Sequence, residues 1–359
     1  MSENKSLKKI NNKTPSPLSI NSLNNITTNQ ILGSNSISLN CGNEQPGIIE
    51  VYEDNFIDEI KSLGNLLEEY NYIGMDTEYP GVIYVCQNMT KDFYYKTLKS
   101  NVDSLKIIQL GITLTNSKGE YPKNSKYHTW QFNFEFDKNT DKIAPSSLNL
   151  LEQCGIDFNK LKKKGIKHKL FAEYFMISGL VLNPDVRWIS FHGCYDFGYL
   201  LKLLINLNLP ESEKDFMNLL DTYFINYYDI KTMVKRKDNI KVGLNKLAQS
   251  LEVLREGKTH QAGSDSVVTI DVYFKLIKYK YLEESKISKN KNQLFGISNE
   301  EDNKETVNYP QFSNLVYQAN NSSNLVYFPY NYSNYYYYLM NNNGTQQNSN
   351  SPPQIQSFI

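Results

Sequence analysis

Five residues in this chain have the side chains that metal-dependent phosphodiester hydrolysis requires. Asp76 and Glu78 lie in YIGMDTEYPG, Asp196 lies in WISFHGCYDFGYLL, and His260 and Asp265 lie in KTHQAGSDSVV. Carboxylates bind divalent cations, and an imidazole accepts a proton near neutral pH. Acidic side chains are mostly solvated surface groups, so the elements that carry these five residues decide whether they form one site.

Asp76 and Glu78 occur in a segment, YIGMDTEY, whose aromatic and β-branched residues predict a strand. Alternate side chains of a strand share a face, so the two carboxylates point the same way and Thr77 points the other way. Two adjacent negative charges are costly unless a cation lies between them. The alternative is an exposed strand end with solvated acids.

Asp196 and Asp265 each begin an apolar helical stripe. The stripe after Asp196 comprises Tyr199, Leu200, Leu203, Leu204 and Leu207, and that after Asp265 comprises Val268, Thr269, Val272, Tyr273 and Leu276. Each acid therefore heads a buried helix face, and Asp196 is predicted to point into a cleft opposite Asp76 and Glu78. A helix-capping role for Asp196 is the alternative.

His260 precedes Asp265 by five residues, in a glycine-containing loop that is able to fold over the site. A loop histidine is often structural, but this fixed offset from Asp265 favours a functional role. Four carboxylates suit two divalent ions, and hard oxygen ligands favour Mg²⁺ or Mn²⁺ over zinc. His260 is then predicted to be the general base for the attacking water.

The elements that position these residues fall in one dense segment, residues 48–298, which we interpret as a single domain. A helix is predicted over residues 56–67, and LKIIQLGITL and HTWQFNFEF are predicted to form an antiparallel hairpin. A helical stretch at about 147–182, the strand VRWISF and further helices follow, which indicates an α/β architecture. Residues 1–47 and 299–359 are rich in Asn and Ser and are predicted to be disordered.

Composition narrows the class of protein. The formal net charge is zero, so no global field attracts the chain to nucleic acid or to a membrane. The four cysteines show no metal-binding or disulfide spacing, which favours a reducing compartment. No apolar run is long enough for a membrane span and the N-terminus lacks a signal peptide pattern. We expect a cytoplasmic and nuclear protein without membrane partners.

The five residues, taken in order, resemble the DEDD exonuclease superfamily in its histidine-bearing branch. That branch has DxE, a distant Asp, and then His with four intervening residues before a last Asp. The segments MDTEYPGV, LKIIQLGIT, TWQFNFEF, FAEYFMISGLVL, WISFHGCYDFGYL, YDIKTMV and HQAGSDSVVT resemble, more narrowly, the Caf1/Pop2 family, the catalytic subunits of the CCR4-NOT complex. The likeness covers about residues 48–298.

The resemblance implies an RNase H-like fold with a central mixed sheet flanked by helices. It further implies a 3′–5′ exoribonuclease that shortens mRNA poly(A) tails and releases 5′-AMP. Its partners would be the large scaffold subunit and the second nuclease subunit of the complex. By motif match the metal ligands are Asp76, Glu78, Asp196 and Asp265, with His260 as the base. A non-catalytic bridging subunit and a nuclease acting on other RNA 3′ ends are the alternatives.

Two segments depart from the family pattern. Val85 and Cys86 stand where the family commonly has an Arg-Pro pair, which removes an arginine that would face phosphate. The basic run KLKKKGIKHK, residues 160–169, is a candidate contact for a phosphate backbone, and a solvated surface loop is its alternative.

Overall fold

A computed structural model describes residues 47–86, 92–238 and 243–297. Six strands form one sheet in these residues: β1 (Ile48–Val51), β2 (Tyr72–Glu78), β3 (Gln109–Thr115), β4 (Thr129–Asn133), β5 (Arg187–Ser190) and β6 (Tyr227–Asp229). The helices are α1 (Phe56–Leu66), α2 (Phe93–Ser104), α3 (Pro145–Gln153), α4 (Phe158–Lys164), α5 (His168–Met176), α6 (Cys194–Ile205), α7 (Glu213–Tyr223), α8 (Ile230–Asp238), α9 (Leu244–Ser250), α10 (Ala262–Lys278) and α11 (Glu284–Lys289).

The sheet is mixed and has the strand order β1-β4-β3-β2-β5-β6. β3 pairs antiparallel with both β2 and β4, which confirms the predicted hairpin. The pairs β1–β4, β2–β5 and β5–β6 are parallel. A central mixed sheet with flanking helices is therefore the observed architecture, as predicted.

The helical stretch predicted at about 147–182 consists of three helices, α3, α4 and α5. Gly155 ends the first of them with φ +98°, a left-handed conformation that interrupts helical hydrogen bonding. Asp157 then caps α4, since its side chain accepts the N–H groups of Asn159 and Lys160. The strand β1 and the helix α2 were not predicted from the sequence, and the four residues of β1 are too few to show a clear pattern.

The sheet has a helix group on each face. On one face, Met75, Ile112 and Trp130 belong to an aromatic-rich core with Phe56 of α1 and Phe197 of α6. Burial of each such side chain contributes about 2–3 kcal/mol.

On the other face, α10 lies directly against β2 and β3. A Cβ at Gly111 would come within 1.9 Å of the Ala262 carbonyl oxygen, and one at Gly74 within 2.5 Å of that of Ser266. Glycine at these two positions permits the close approach that brings Asp265 to the sheet.

Two of the sequence predictions concern residues outside this description. The segments predicted to be disordered, 1–47 and 299–359, lie outside the described residues except for Gly47, whose carbonyl oxygen accepts the N–H of Thr129.

Cys86, Cys154 and Cys194 are free thiols. Among the described residues, no helix has the length and apolar content needed to cross a bilayer.

Candidate active site

Asp76 and Glu78 lie where the sheet opens between β2 and β5. β2 pairs with β3 along its whole length, but it pairs with β5 only from Tyr72 to Gly74. Beyond Gly74, the N-terminal turn of α6 takes the place of β5. The Thr77 backbone N–H donates to Asp196 Oδ1 over 3.0 Å, and the Thr77 hydroxyl donates to the same oxygen. The divergence of two strands therefore creates the space into which Asp196 projects.

This contact bears on the alternative that Asp196 only caps its own helix. The N-cap residue of α6 is Gly193, so Asp196 does not occupy the N-cap position. Asp196 is 6% exposed and binds β2 instead, which joins α6 to the strand that carries Asp76 and Glu78. The structure thus places Asp196 beside that pair, as the sequence predicts.

His260 and Asp265 come to the same place from the start of α10. The His260 backbone N–H donates to Asp265 Oδ2 over 3.0 Å, and His260 has a left-handed φ of +58°. One potential ligand atom from each of Glu78, His260 and Asp265 lies within 4.8 Å of the other two. The imidazole is therefore close enough to serve either as a base or as a ligand.

The cluster is electrostatically unfavourable without a cation. Burial raises the pKa of Asp76 well above its ordinary value, and the charges of Asp196, Asp265 and Glu78 raise it further. Burial also raises the pKa of Asp196 to about 7, against the opposing effect of the Thr77 hydrogen bonds. Carboxylates that are shielded from solvent and repel one another take up protons or bind cations. The donor set, made of carboxylate oxygens, fits a hard divalent cation.

Arg255, which no sequence pattern indicated, lies beside this cluster. Its guanidinium donates to Asp265 Oδ1, to Ser264 Oγ over 2.9 Å and to Asn245 Oδ1. The Arg255 charge also opposes the rise in the pKa of Asp76. Arg255 lies ten residues before Asp265 in a loop, so no helical or strand periodicity relates the two.

We expect Arg255→Ala to lower the stability of the metal-free protein by about 2–4 kcal/mol, because it leaves the Asp265 carboxylate without its charged partner. The ion pair is well shielded, with 19% and 11% of the two side chains exposed. Thermal unfolding in EDTA measures this loss, and Mn²⁺ should restore more stability to the variant than it adds to the parent. Arg255→Lys is the control that retains the charge. An unchanged unfolding midpoint for Arg255→Ala in EDTA would contradict the assignment.

Asp229 is a second functional residue that was not predicted from the sequence. This carboxylate at the end of β6 is fully buried, and it accepts the backbone N–H groups of His192, Gly193, Lys231 and Phe295. Two of these donors form the turn before α6, so Asp229 fixes the turn that presents Asp196. A charged residue at the end of the apolar segment YYDI was the available sequence signal.

The two departures from the family pattern have structural counterparts. The Cys86 backbone N–H donates to Thr97 Oγ1 of α2, and Cys86 is one of the residues that line a cavity of about 330 Å³ beside that helix. In the basic run, Lys162 pairs with Asp137, and Lys167 pairs with Glu53. These ion pairs favour the solvated surface interpretation of the run.

Comparison with known proteins identifies the family. Residues 51–174 match the model of the CAF1 family ribonucleases. The protein named Poly(A) ribonuclease pop2 from Schizosaccharomyces pombe is 42% identical over 253 residues, which cover 70% of this chain and 75% of that protein.

Two solved structures share the fold. The Mg²⁺- and Mn²⁺-bound form of S. pombe Pop2p has a TM-score of 0.66 at 40% identity, and the match covers 70% of this chain and 99% of that one. CAF1 co-crystallised with the yeast NOT1 MIF4G domain has a TM-score of 0.60 at 29% identity, with coverage of 69% and 96%. These likenesses confirm the predicted RNase H-like fold. The chain belongs to the CAF1 family of ribonucleases.

Proposed function

We propose that this chain is a 3′–5′ exoribonuclease that shortens mRNA poly(A) tails and releases 5′-AMP. The observation that carries the proposal is the convergence of Asp76, Glu78, Asp196, Asp265 and His260 at one opening of the sheet. A non-catalytic bridging subunit has no need for four convergent carboxylates. The poly(A) substrate is supported by the S. pombe relative, which is named a poly(A) ribonuclease.

The four carboxylates are the proposed ligands of two Mg²⁺ or Mn²⁺ ions. The Pop2p structure described as Mg²⁺- and Mn²⁺-bound supports this choice. Bound divalent cations supply Lewis-acid chemistry, which lowers the pKa of a water nucleophile and neutralises charge on a phosphate. Thr77 and Arg255 orient Asp196 and Asp265 through the hydrogen bonds described above, as outer partners of metal ligands commonly do.

His260 is the proposed general base. Its imidazole takes the proton of the attacking water as the water oxygen bonds to phosphorus. The bond from phosphorus to the 3′-oxygen of the preceding nucleotide breaks, and that oxygen takes a proton from solvent water. The released nucleotide thus keeps its phosphate on the 5′-oxygen, and the shortened RNA ends in a 3′-hydroxyl. His260 has a left-handed backbone, and a nitrogen of its ring lies within 4.8 Å of a carboxylate oxygen of Glu78 and of one of Asp265.

Mn²⁺ binding is expected to weaken as the pH falls below about 7. The pKa of Asp196 is about 7 in the folded protein, against 3.8 ordinarily, so protons compete with the cation in this range. The affinity should fall about tenfold per pH unit for each proton displaced. The same raised pKa makes the stability of the metal-free fold depend on pH. Asp196 stabilises that fold most below pH 3.8, and this contribution is lost as the pH rises through about 7.

Isothermal titration with Mn²⁺ in two buffers of different ionisation enthalpy counts the protons released. We expect clear release at pH 6 and little at pH 8. Equal affinity and no proton release across this range would contradict the raised pKa of Asp196.

We also propose a place for the chain in the CCR4-NOT complex, in the cytoplasm and the nucleus. The structure of CAF1 with the NOT1 MIF4G domain supports a large scaffold subunit as one partner. The second nuclease subunit of the complex is the other proposed protein partner.

Incubation of the purified full chain with Mg²⁺ or Mn²⁺ and 5′-labelled RNA tests the function. We expect oligo(A) to shorten one nucleotide at a time, faster than oligo(U), oligo(C) or a DNA oligomer of equal length. Equal rates on all four would favour a nuclease for other RNA ends. No shortening of any oligomer would favour the bridging role, and shortening by the Asp76→Ala/Glu78→Ala double variant would refute the proposed metal site.

A further inference from the structure

A set of side-chain amides lies between the sheet and the start of α10. This amide network consists of Gln109 on β3, Gln131 and Asn133 on β4, and Gln261 immediately before α10. Gln109, Gln131 and Asn133 are 3%, 2% and 1% exposed. Buried amides are costly unless their donors and acceptors are paired, so the arrangement of these groups is strongly constrained.

Gln131 shows how strong the constraint is. Its Nε2 donates to Glu50 Oε1 over 2.8 Å and to Gln261 Oε1 over 2.9 Å, and its Oε1 accepts the Gly263 backbone N–H over 2.8 Å. Both N–H groups and the oxygen are therefore occupied. Exchanging the amide nitrogen and oxygen would set donor against donor at Gly263, so only one orientation satisfies the site.

Gln109, on the neighbouring strand β3, also has its amide nitrogen and oxygen occupied by hydrogen bonds. Its Nε2 donates to Asn133 Oδ1 over 2.8 Å and to Gln261 Oε1 over 3.2 Å, and its Oε1 accepts the Ala262 N–H over 3.3 Å. The first two N–H groups of α10 are thus capped by glutamines of the sheet. The helix has no side-chain cap from its own N-cap residue, Gln261, so these contacts replace an ordinary cap.

Gln261 is held at three points. Its Oε1 accepts from Gln109 and Gln131, and its Nε2 donates to the Cys154 carbonyl oxygen over 3.0 Å. The residue before it, His260, has a left-handed φ of +58°, a conformation that costs about 1 kcal/mol or more in a residue other than glycine. Such a conformation persists only when its surroundings hold it, and the anchored Gln261 is its immediate neighbour.

We propose that Gln109 and Gln131 are positioning residues, which act through Gln261 and the start of α10 to hold the His260 ring beside Glu78 and Asp265. The inference rests on the proposed function only for its effect on turnover. The dependence of an ordered His260 on glutamines of the sheet is a structural property, and it can be tested without any activity. Neither glutamine has a hydrogen bond to a proposed metal ligand among the contacts described for it.

The first test is Gln131→Met in the full chain, which keeps the side-chain length and removes the hydrogen bonds. We expect kcat on oligo(A) to fall about 10- to 100-fold with little change in KM, because displacement of a catalytic group by about 1 Å has effects of this size. In the double variant with Gln261→Met the two losses should not multiply, because both changes break the same connection.

The second test needs no metal and no activity. The chain has four histidines, so the imidazole ¹H–¹³C signals are few, and His260→Asn identifies that of His260. In Gln131→Met we expect this signal to move or broaden while those of His168 and His192 stay. If Gln131→Met does not fold, Gln261→Met alone undergoes the same two measurements, because Gln261 is only half-buried.

Thr113→Val is the matched control. Thr113 is a buried polar residue of β3, and it also contacts α10, through Ser266 Oγ at 2.7 Å. This variant should lose stability but keep kcat and the His260 signal. An unchanged His260 signal in the glutamine variant, or an equal change in Thr113→Val, would overturn the proposal. Inactivity of the parent on every RNA would refute the proposed function. The test that uses the imidazole signal of His260 would still apply.

Discussion

Asp76→Asn should abolish RNA shortening and at the same time stabilise the metal-free protein. Loss of a carboxylate from the proposed metal site removes charge stabilisation of the reaction, and we expect turnover to fall on the order of 10³-fold or more. The pKa of Asp76 is raised by burial and by three neighbouring acids, so its ionised form is strained at neutral pH. A neutral amide of the same shape relieves that repulsion.

The gain in stability should be about 1–2 kcal/mol, which corresponds to a rise of about 3–6 °C in the unfolding midpoint of a domain of this size. Thermal unfolding at pH 8 in EDTA measures it. Mn²⁺ should raise the midpoint of the variant much less than that of the parent.

Asp229→Asn is the matched control, since it makes the same substitution at another buried carboxylate. Asp229 accepts four backbone N–H groups, and an amide NH₂ in its place would face donors. This control should therefore be destabilised, opposite in sign to Asp76→Asn. The assignment of Asp76 to a repulsive metal site fails if Asp76→Asn is also destabilised in EDTA, or if it degrades oligo(A) at the parental rate.

His260→Asn should lower kcat about 10²- to 10⁴-fold, the usual contribution of a general base, while the affinity for Mn²⁺ changes little. Asn is the appropriate replacement because it tolerates the left-handed conformation that His260 adopts. Turnover on oligo(A) and titration with Mn²⁺ are the two measurements. Because His260 lies within 4.8 Å of potential ligand atoms of Glu78 and Asp265, the titration decides between two roles. A large loss of Mn²⁺ affinity would make His260 a ligand.

Glu252→Asn controls for the backbone at this position. Glu252 is exposed and has φ +53°, so the substitution places Asn in a similar conformation without altering the acidic cluster. It should leave turnover and Mn²⁺ affinity at the parental level. Parental turnover in His260→Asn would require another group to act as the base.

The sequence by itself determined which residues lie on which faces. Alternation along YIGMDTEY put Asp76 and Glu78 on one side of a strand, and helical spacing put Asp196 and Asp265 at the heads of buried faces. The predicted face after Asp196 was one residue too long, because Leu207 lies beyond the end of α6 and is exposed. The family motif related these elements to one another, and the mixed sheet agrees with it. These features were accessible because periodicity and motif spacing are local properties of a chain.

Only the tertiary structure decided what holds the site together. Asp196 is bound by Thr77, 119 residues earlier, and Gln261 is bound by Gln109 across 152 residues. Arg255 reaches Asp265 from an irregular loop, and the space for Asp196 exists because β5 leaves β2 after Gly74. Hydrogen bonds between distant segments follow from packing rather than from local periodicity, so no pattern along the chain could have indicated them.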